Sequence, residues 1–238
     1  MFIMFKGTKV FYKIENKNAQ NSLLFLNGWG YDYKVLKPLG NLFPNHKKIY
    51  IDFPPFGQSE EFKCGWKIED FADLVKVILD KQKIKKTQII AHSFGGRVAI
   101  MLEYKYNITE SLVLVASAGL KPRKNLRLWL KIKIYKHKKK RGKNVSGYGS
   151  EEYRALNSIS KKTFVNVVNF DQTQMCKNIN VRTLIIAGKR DTATPLYMHK
   201  KFKRLLKNSS LVVLNAGHYV WVDEFALFAR QLKNFIRR

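Results

Sequence analysis

The stretch Ala91-His92-Ser93-Phe94-Gly95-Gly96 follows the apolar run Gln88-Ile89-Ile90 and leads into Arg97-Val98-Ala99-Ile100-Met101-Leu102. The first run has the character of a buried strand and the last that of a helix, so the chain must turn sharply between them. A small residue two before the serine and a glycine two after it leave room for that turn, and for a serine held in a strained backbone conformation. Ser93 then projects alone at the tip. Its hydroxyl lies near the positive end of the helix, where the Phe94 N–H is an orphan donor able to stabilise a developing oxyanion. The same residues would also suit an ordinary strand-to-helix turn capped by a serine. Partners elsewhere in the chain decide between the two.

The 238 residues suffice for one substantial α/β domain, with at most a small insertion, and a hydrophobic fraction of 45% supports a packed core. Two cysteines, Cys64 and Cys176, are too few for a disulfide framework and have no metal-type spacing, so a reducing compartment is expected; no metal or other cofactor is expected. Met1 to Phe5 is shorter than a signal-peptide core and no later run approaches a membrane span, so the chain is read as cytoplasmic. Charge is the outlying feature, with 45 Lys and Arg against 17 Asp and Glu, a net +28. That surplus attracts anions of every kind. No aromatic-interleaved or motif-based nucleic-acid module accompanies it, so no specific nucleic-acid partner is expected; a Lys-, Asn- and Ile-rich compositional bias and a functional surplus are both open readings of the charge.

Taken in order, Phe2 to Lys6 and Lys9 to Ile14 read as a hairpin around Gly7-Thr8 that makes an antiparallel edge. The run from Ser22 to Leu26 reads as a strand buried on both faces, and Lys48 to Ile51 as the next. Ile68, Phe71, Val75, Ile78 and Leu79 recur at helical spacing within 66–81. Thr87 to Ala91 and Leu112 to Ala116 are further buried strands. This alternation predicts a mostly parallel central sheet with helices on both faces. After a break, Val181 to Ala187 and Leu211 to Leu214 resume the strands, with a helix at 196–206 between them and a closing helix from Val220 onward.

With these elements in place, Ala91 to Gly96 resembles the nucleophile elbow of the α/β-hydrolase family, with Ala91 where a glycine is usual. The loop Asn27-Gly28-Trp29-Gly30 is similar to the family's oxyanion loop. The resemblance implies that the Trp29 N–H joins the Phe94 N–H as oxyanion donors; Asn27 stands where a histidine is common. The segment from Asp52 to Ser59 looks like another family loop, in which Asp52 caps backbone N–H groups. Gly188 to Pro195 resembles the acid loop, which makes Asp191 the acid. Asn215-Ala216-Gly217-His218 ends where the family carries its histidine. The resemblance also implies a small helical cap inserted at 121–175, flanked by a core of 1–120 and 176–238.

Between Lys121 and Lys143 stand twelve Lys or Arg and no acid. Leu126, Trp129, Leu130 and Ile134 share one helical face there, although Leu130 to Ile134 alternates as a strand would. On the first reading Trp129 and Leu130 line the substrate pocket while the lysines are solvated. The alternative is a basic amphipathic element on an anionic membrane surface. Short helices are expected from Glu151 to Leu156 and from Lys162 to Phe170.

Ser93, Asp191 and His218 each follow a strand, in the chain order this fold requires. Ligand sites of open parallel sheets lie at those strand ends, so the three can converge. A serine hydroxyl needs a base, which His218 supplies, and Asp191 would orient the ring. His92 is expected to point away from the reaction, and His137 and His199 to lie in cap and helix. The expected function is hydrolysis of a small to medium, largely apolar carboxylic ester or related acyl compound through an acyl-serine intermediate; carbon–carbon hydrolase, lactonase or perhydrolase chemistry would use the same groups. The alternative is a catalytically idle ligand-binding or sensor protein docked by its basic segment. No obligate protein partner is evident.

Overall fold

The computed structural model describes residues 1–122, 141 and 151–236. The basic run, with Trp129 and Leu130, lies outside the described residues.

Eight strands form one sheet in the order β1-β2-β4-β3-β5-β6-β7-β8. They are β1 (Phe2–Phe5), β2 (Thr8–Glu15), β3 (Ser22–Leu26), β4 (Lys47–Ile51), β5 (Thr87–His92), β6 (Thr109–Val115), β7 (Thr183–Gly188) and β8 (Ser209–Leu214). From β4 through β8 every neighbouring pair is parallel, whereas β2 runs antiparallel to both β1 and β4. The hairpin register sets Phe5 opposite Thr8, with Lys6 and Gly7 both at positive φ in the turn. This is the two-residue geometry that follows the twist of the strands. At this end of the sheet β1 is the edge strand, because β2 pairs with β4 on its other side; β8 is the opposite edge.

All five residues of β3 are buried, and they alternate between two cores. Leu24 and Leu26 face one with Ile89, Ala91, Leu112 and Leu114; Leu23 and Phe25 face the other with Ile90, Val113 and Val115. That period of two, with both faces apolar, requires a helical layer on each side. The helices are α1 (Lys37–Gly40), α2 (Ile68–Lys81), α3 (Phe94–Tyr106), α4 (Glu151–Ala155), α5 (Ser158–Asn169), α6 (Thr173–Asn178), α7 (Leu196–Leu205), α8 (Val220–Asp223) and α9 (Phe225–Ile236). The first core packs α2, α3 and α7, while α1, α8 and α9 cover the second. The closing helix expected from Val220 is broken at Glu224, whose φ of −134° and ψ of 51° are not helical. No helix among the described residues is long and apolar enough to cross a membrane.

Between β6 and β7 the chain leaves the sheet for α4, α5 and α6. Side chains of α5 bind back to the loop before α2: Thr163 Oγ1 accepts the Trp66 N–H at 3.0 Å, and Asn166 Nδ2 donates to the Trp66 carbonyl at 3.1 Å. Ser160 Oγ and Asn157 Nδ2 both donate to the Glu61 carboxylate, at 3.0 and 2.7 Å. These bonds hold α5 over the strand ends.

Candidate active site

The site grows from the turn between β5 and α3. Ser93 has φ 50° and ψ −111°, a conformation that L residues seldom adopt and that only well-determined surroundings maintain. Three hydrogen bonds supply that determination. The Ser93 N–H donates to the Val115 carbonyl at 3.1 Å, while the Ser93 carbonyl accepts from Gly96 at 3.1 Å and Ala118 at 3.0 Å. The glycines allow α3 to approach the sheet. A Cβ on Gly95 would sit 2.1 Å from the Leu26 carbonyl oxygen, and one on Gly96 1.9 Å from Ser117 Oγ.

Gly28, just beyond β3, lies against the same turn: a Cβ there would stand 3.1 Å from His92 Nδ1 and 3.5 Å from Ser93 Cβ. The next residue, Trp29, packs its ring among Phe56, Phe62, Phe71, Phe94 and Phe164. Neither the Trp29 nor the Phe94 backbone N–H has an acceptor among the described residues. Asp52 caps this region as expected, accepting the Tyr33 N–H at 2.7 Å and the Gln58 N–H at 2.9 Å.

Asp191 and His218 come from loops after β7 and β8, and His218 Nδ1 lies 2.8 Å from Asp191 Oδ2. The same carboxylate oxygen accepts the Thr194 hydroxyl at 2.7 Å; Oδ1 accepts the N–H groups of Ala193 at 2.8 Å and Thr194 at 3.0 Å. Burial by itself would raise this carboxyl, but the bonds from His218 and Thr194 outweigh it and bring its pKa down to about 2. Asp191 is therefore an anion at neutral pH, and it fixes a proton on His218 Nδ1. Asp223, the other acid near His218 in sequence, accepts the Gly217 N–H at 2.7 Å and faces Arg190 at 3.7 Å.

His92 does not point away. Its ring is buried against His218, centroid to centroid 4.7 Å, and Nε2 lies 3.2 Å from the His218 carbonyl oxygen. Burial, with the His218 ring adding to it, lowers the His92 pKa to about 3, so the ring is neutral and Nε2 donates to that carbonyl. This contact joins the residue preceding Ser93 to the histidine loop. No sequence periodicity encodes it.

Ser93, Trp29 and Phe94 line one cavity of about 160 Å³ together with Arg97, Ala118, Phe164, Val167 and Val168. No direct hydrogen bond joins Ser93 to His218. A larger open groove of about 560 Å³ lies at the opposite end of the sheet, beside Thr109 and Arg182 where β6 and β7 begin. It holds none of the three residues, and open parallel sheets place their sites at the other strand ends. Among the described residues no cluster of His, Cys, Asp and Glu is arranged to hold a metal ion.

An open, mostly parallel sheet with a strained serine at one strand end and an acid–histidine pair at two others defines the class of α/β hydrolases. The chain belongs to the alpha/beta hydrolase family, whose model matches residues 23–231. It is 24% identical to the uncharacterised hydrolase YugF of Bacillus subtilis, over 97% of this chain and 95% of that protein. Among solved structures, the esterase EaEST from Exiguobacterium antarcticum superimposes with a TM-score of 0.81 at 18% identity, covering 100% of this chain and 99% of that one. The enol-lactonase from Burkholderia xenovorans LB400 gives 0.78 at 17% identity, with both chains fully covered. At such identities these two likenesses establish the fold.

Proposed function

We propose that the protein is a serine hydrolase that cleaves a small carboxylic ester or related acyl compound. Ser93 attacks the carbonyl carbon while His218 Nε2 takes its proton, and Asp191 holds the ring and stabilises the imidazolium that forms. The oxyanion is received by the N–H groups of Trp29 and Phe94. His218 then protonates the departing alcohol, and water activated by the same histidine releases the acid from Ser93.

The observation that carries this reading is the 2.8 Å contact between His218 Nδ1 and Asp191 Oδ2. It leaves Nε2 as the basic nitrogen. An idle binding protein has no use for a buried carboxylate kept ionised behind a histidine. We assign residues 121–175 to a cap over the site, since Phe164, Val167 and Val168 of α5 line the cavity beside Ser93. Its volume of about 160 Å³ matches the ~150 Å³ cavity that holds one benzene-sized group, so a short acyl chain is the fitting occupant.

The test is hydrolysis of p-nitrophenyl acetate, butyrate, hexanoate and decanoate by wild type and Ser93→Ala. Turnover that peaks at butyrate or hexanoate and vanishes in the variant supports the reading. Equal turnover by the variant refutes it.

A further inference from the structure

One side chain in the cavity has no place in that mechanism. Arg97 stands one helical turn after Ser93 in α3 and lines the same 160 Å³ cavity. It is only 8% exposed. Its Nη1 donates to the Phe170 carbonyl at 2.8 Å, and its own carbonyl accepts from Gln172 Nε2 at 2.8 Å. A guanidinium carries five N–H donors, and no other acceptor for them occurs among the described residues.

Among the described residues no acid forms an ion pair with it. Asp171, whose charge acts on Arg97, directs Oδ1 to Thr173 and to the Lys121 N–H and forms no ion pair with the guanidinium. A buried cation with no carboxylate in direct contact is costly, and the fixed fork of arginine suits a carboxylate.

We propose that Arg97 is the specificity-determining residue of this site and binds a carboxylate borne by the acyl part of the substrate, which makes the substrate a half-ester of a short dicarboxylic acid. The proposal rests on the hydrolase reading for its chemistry. The far carboxylate meets Arg97 while the ester carbonyl meets Ser93, and the apolar walls from Phe94, Phe164 and Val168 cover the methylenes between. Hydrolysis breaks the acyl C–O bond, the alcohol leaves with a proton from His218, and water completes the second carboxyl. The cavity has room for about six heavy atoms beyond the reacting carbonyl, which suits a succinyl or glutaryl group.

The test compares kcat/KM for monomethyl glutarate and for methyl pentanoate, the same five-carbon chain ending in a methyl group. Wild type should favour the glutarate ester by about 10- to 100-fold, the range of a charged hydrogen bond. Arg97→Gln should collapse that ratio to one or below, with Arg97→Lys between. A wild-type preference for methyl pentanoate, or a ratio unchanged in Arg97→Gln, overturns the proposal. Titration calorimetry of glutarate into Ser93→Ala, with and without Arg97→Gln, separates this failure from that of the hydrolase reading. If neither ester is cleaved yet glutarate binds and Arg97→Gln abolishes it, the carboxylate site stands and the chemistry falls. Absence of saturable binding to Ser93→Ala overturns the carboxylate site. Should Arg97→Gln not fold by circular dichroism, Arg97→Lys serves in both measurements: it keeps the charge but not the fork, and an unchanged ratio and affinity overturn the proposal.

Discussion

His92 Nε2 lies 3.2 Å from the backbone carbonyl oxygen of His218, so the residue before the strained serine holds the loop that carries the histidine. One net hydrogen bond contributes about 0.5–1.5 kcal/mol, and here it acts through the position of the general base. His92→Phe, which keeps the buried ring and loses the donor, should lower kcat about 3- to 10-fold with little change in KM. Steady-state kinetics on p-nitrophenyl butyrate check this. A KM effect alone would place His92 in binding instead.

The Asp191 carboxylate accepts four hydrogen bonds, one of them from His218. Asp191→Asn can still accept both backbone N–H groups, so the loop keeps its fold. Its amide nitrogen would donate toward His218 Nδ1, leaving the proton on Nε2 where the base is needed. A loss of about 10⁴ in kcat is expected, with a native circular dichroism spectrum. Wild-type kcat in this variant would mean that another carboxylate serves.

Gly95 faces backbone, not a side chain that could move. Its added Cβ would meet the Leu26 carbonyl oxygen at 2.1 Å and that of Asn27 at 2.9 Å. Gly95→Ala must therefore displace α3 from β3, at a cost of about 3 kcal/mol or more. Gly30, at φ +91° with open space around it, carries only a conformational cost, so Gly30→Ala should destabilise by about 1 kcal/mol. Urea titrations of both variants give the ordering; equal midpoints would contradict it.

His199 is fully buried, and neither ring nitrogen makes a hydrogen bond of ordinary geometry. Burial lowers its pKa to about 4, well below the ~6.5 of an unfolded chain. The unfolded state thus binds a proton that the folded state refuses, and stability falls as pH drops from about 6.5 to 4. His199→Leu removes both the unsatisfied nitrogens and this linkage. The variant should be at least as stable as wild type at pH 7 and should gain on it as pH falls to about 4.5, by thermal melts. A gain that is the same at both pH values would contradict the linkage.

Much of the site was legible because its signals are local. The sharp turn at Ser93 follows from Ala91 and Gly95 around it, and the four-residue apolar runs Leu184 to Ala187 and Leu211 to Leu214 mark the strands whose following loops, by their resemblance to the family's, pointed to Asp191 and His218. The role of Asp52 was also readable, since an Asp followed by Pro-Pro and Gly57 needs something to organise its turn. What escaped depends on contacts remote in sequence. Arg97 reads as one more lysine-like charge until α5 and Phe170 close over it. His92 meets His218 across 126 residues. Thr194 shows no pattern that marks it as a support for Asp191, and α6 is only six residues long, too short for a helical period to appear.

The central claim is that Ser93 is the acylated nucleophile, and covalent labelling tests it most directly. Wild type and Ser93→Ala are incubated with a fluorophosphonate, and intact mass and peptide mapping are recorded. The account predicts one phosphonyl group per wild-type chain, located on Ser93, and none on the variant. Equal labelling of both proteins, or an adduct on another serine, would contradict it.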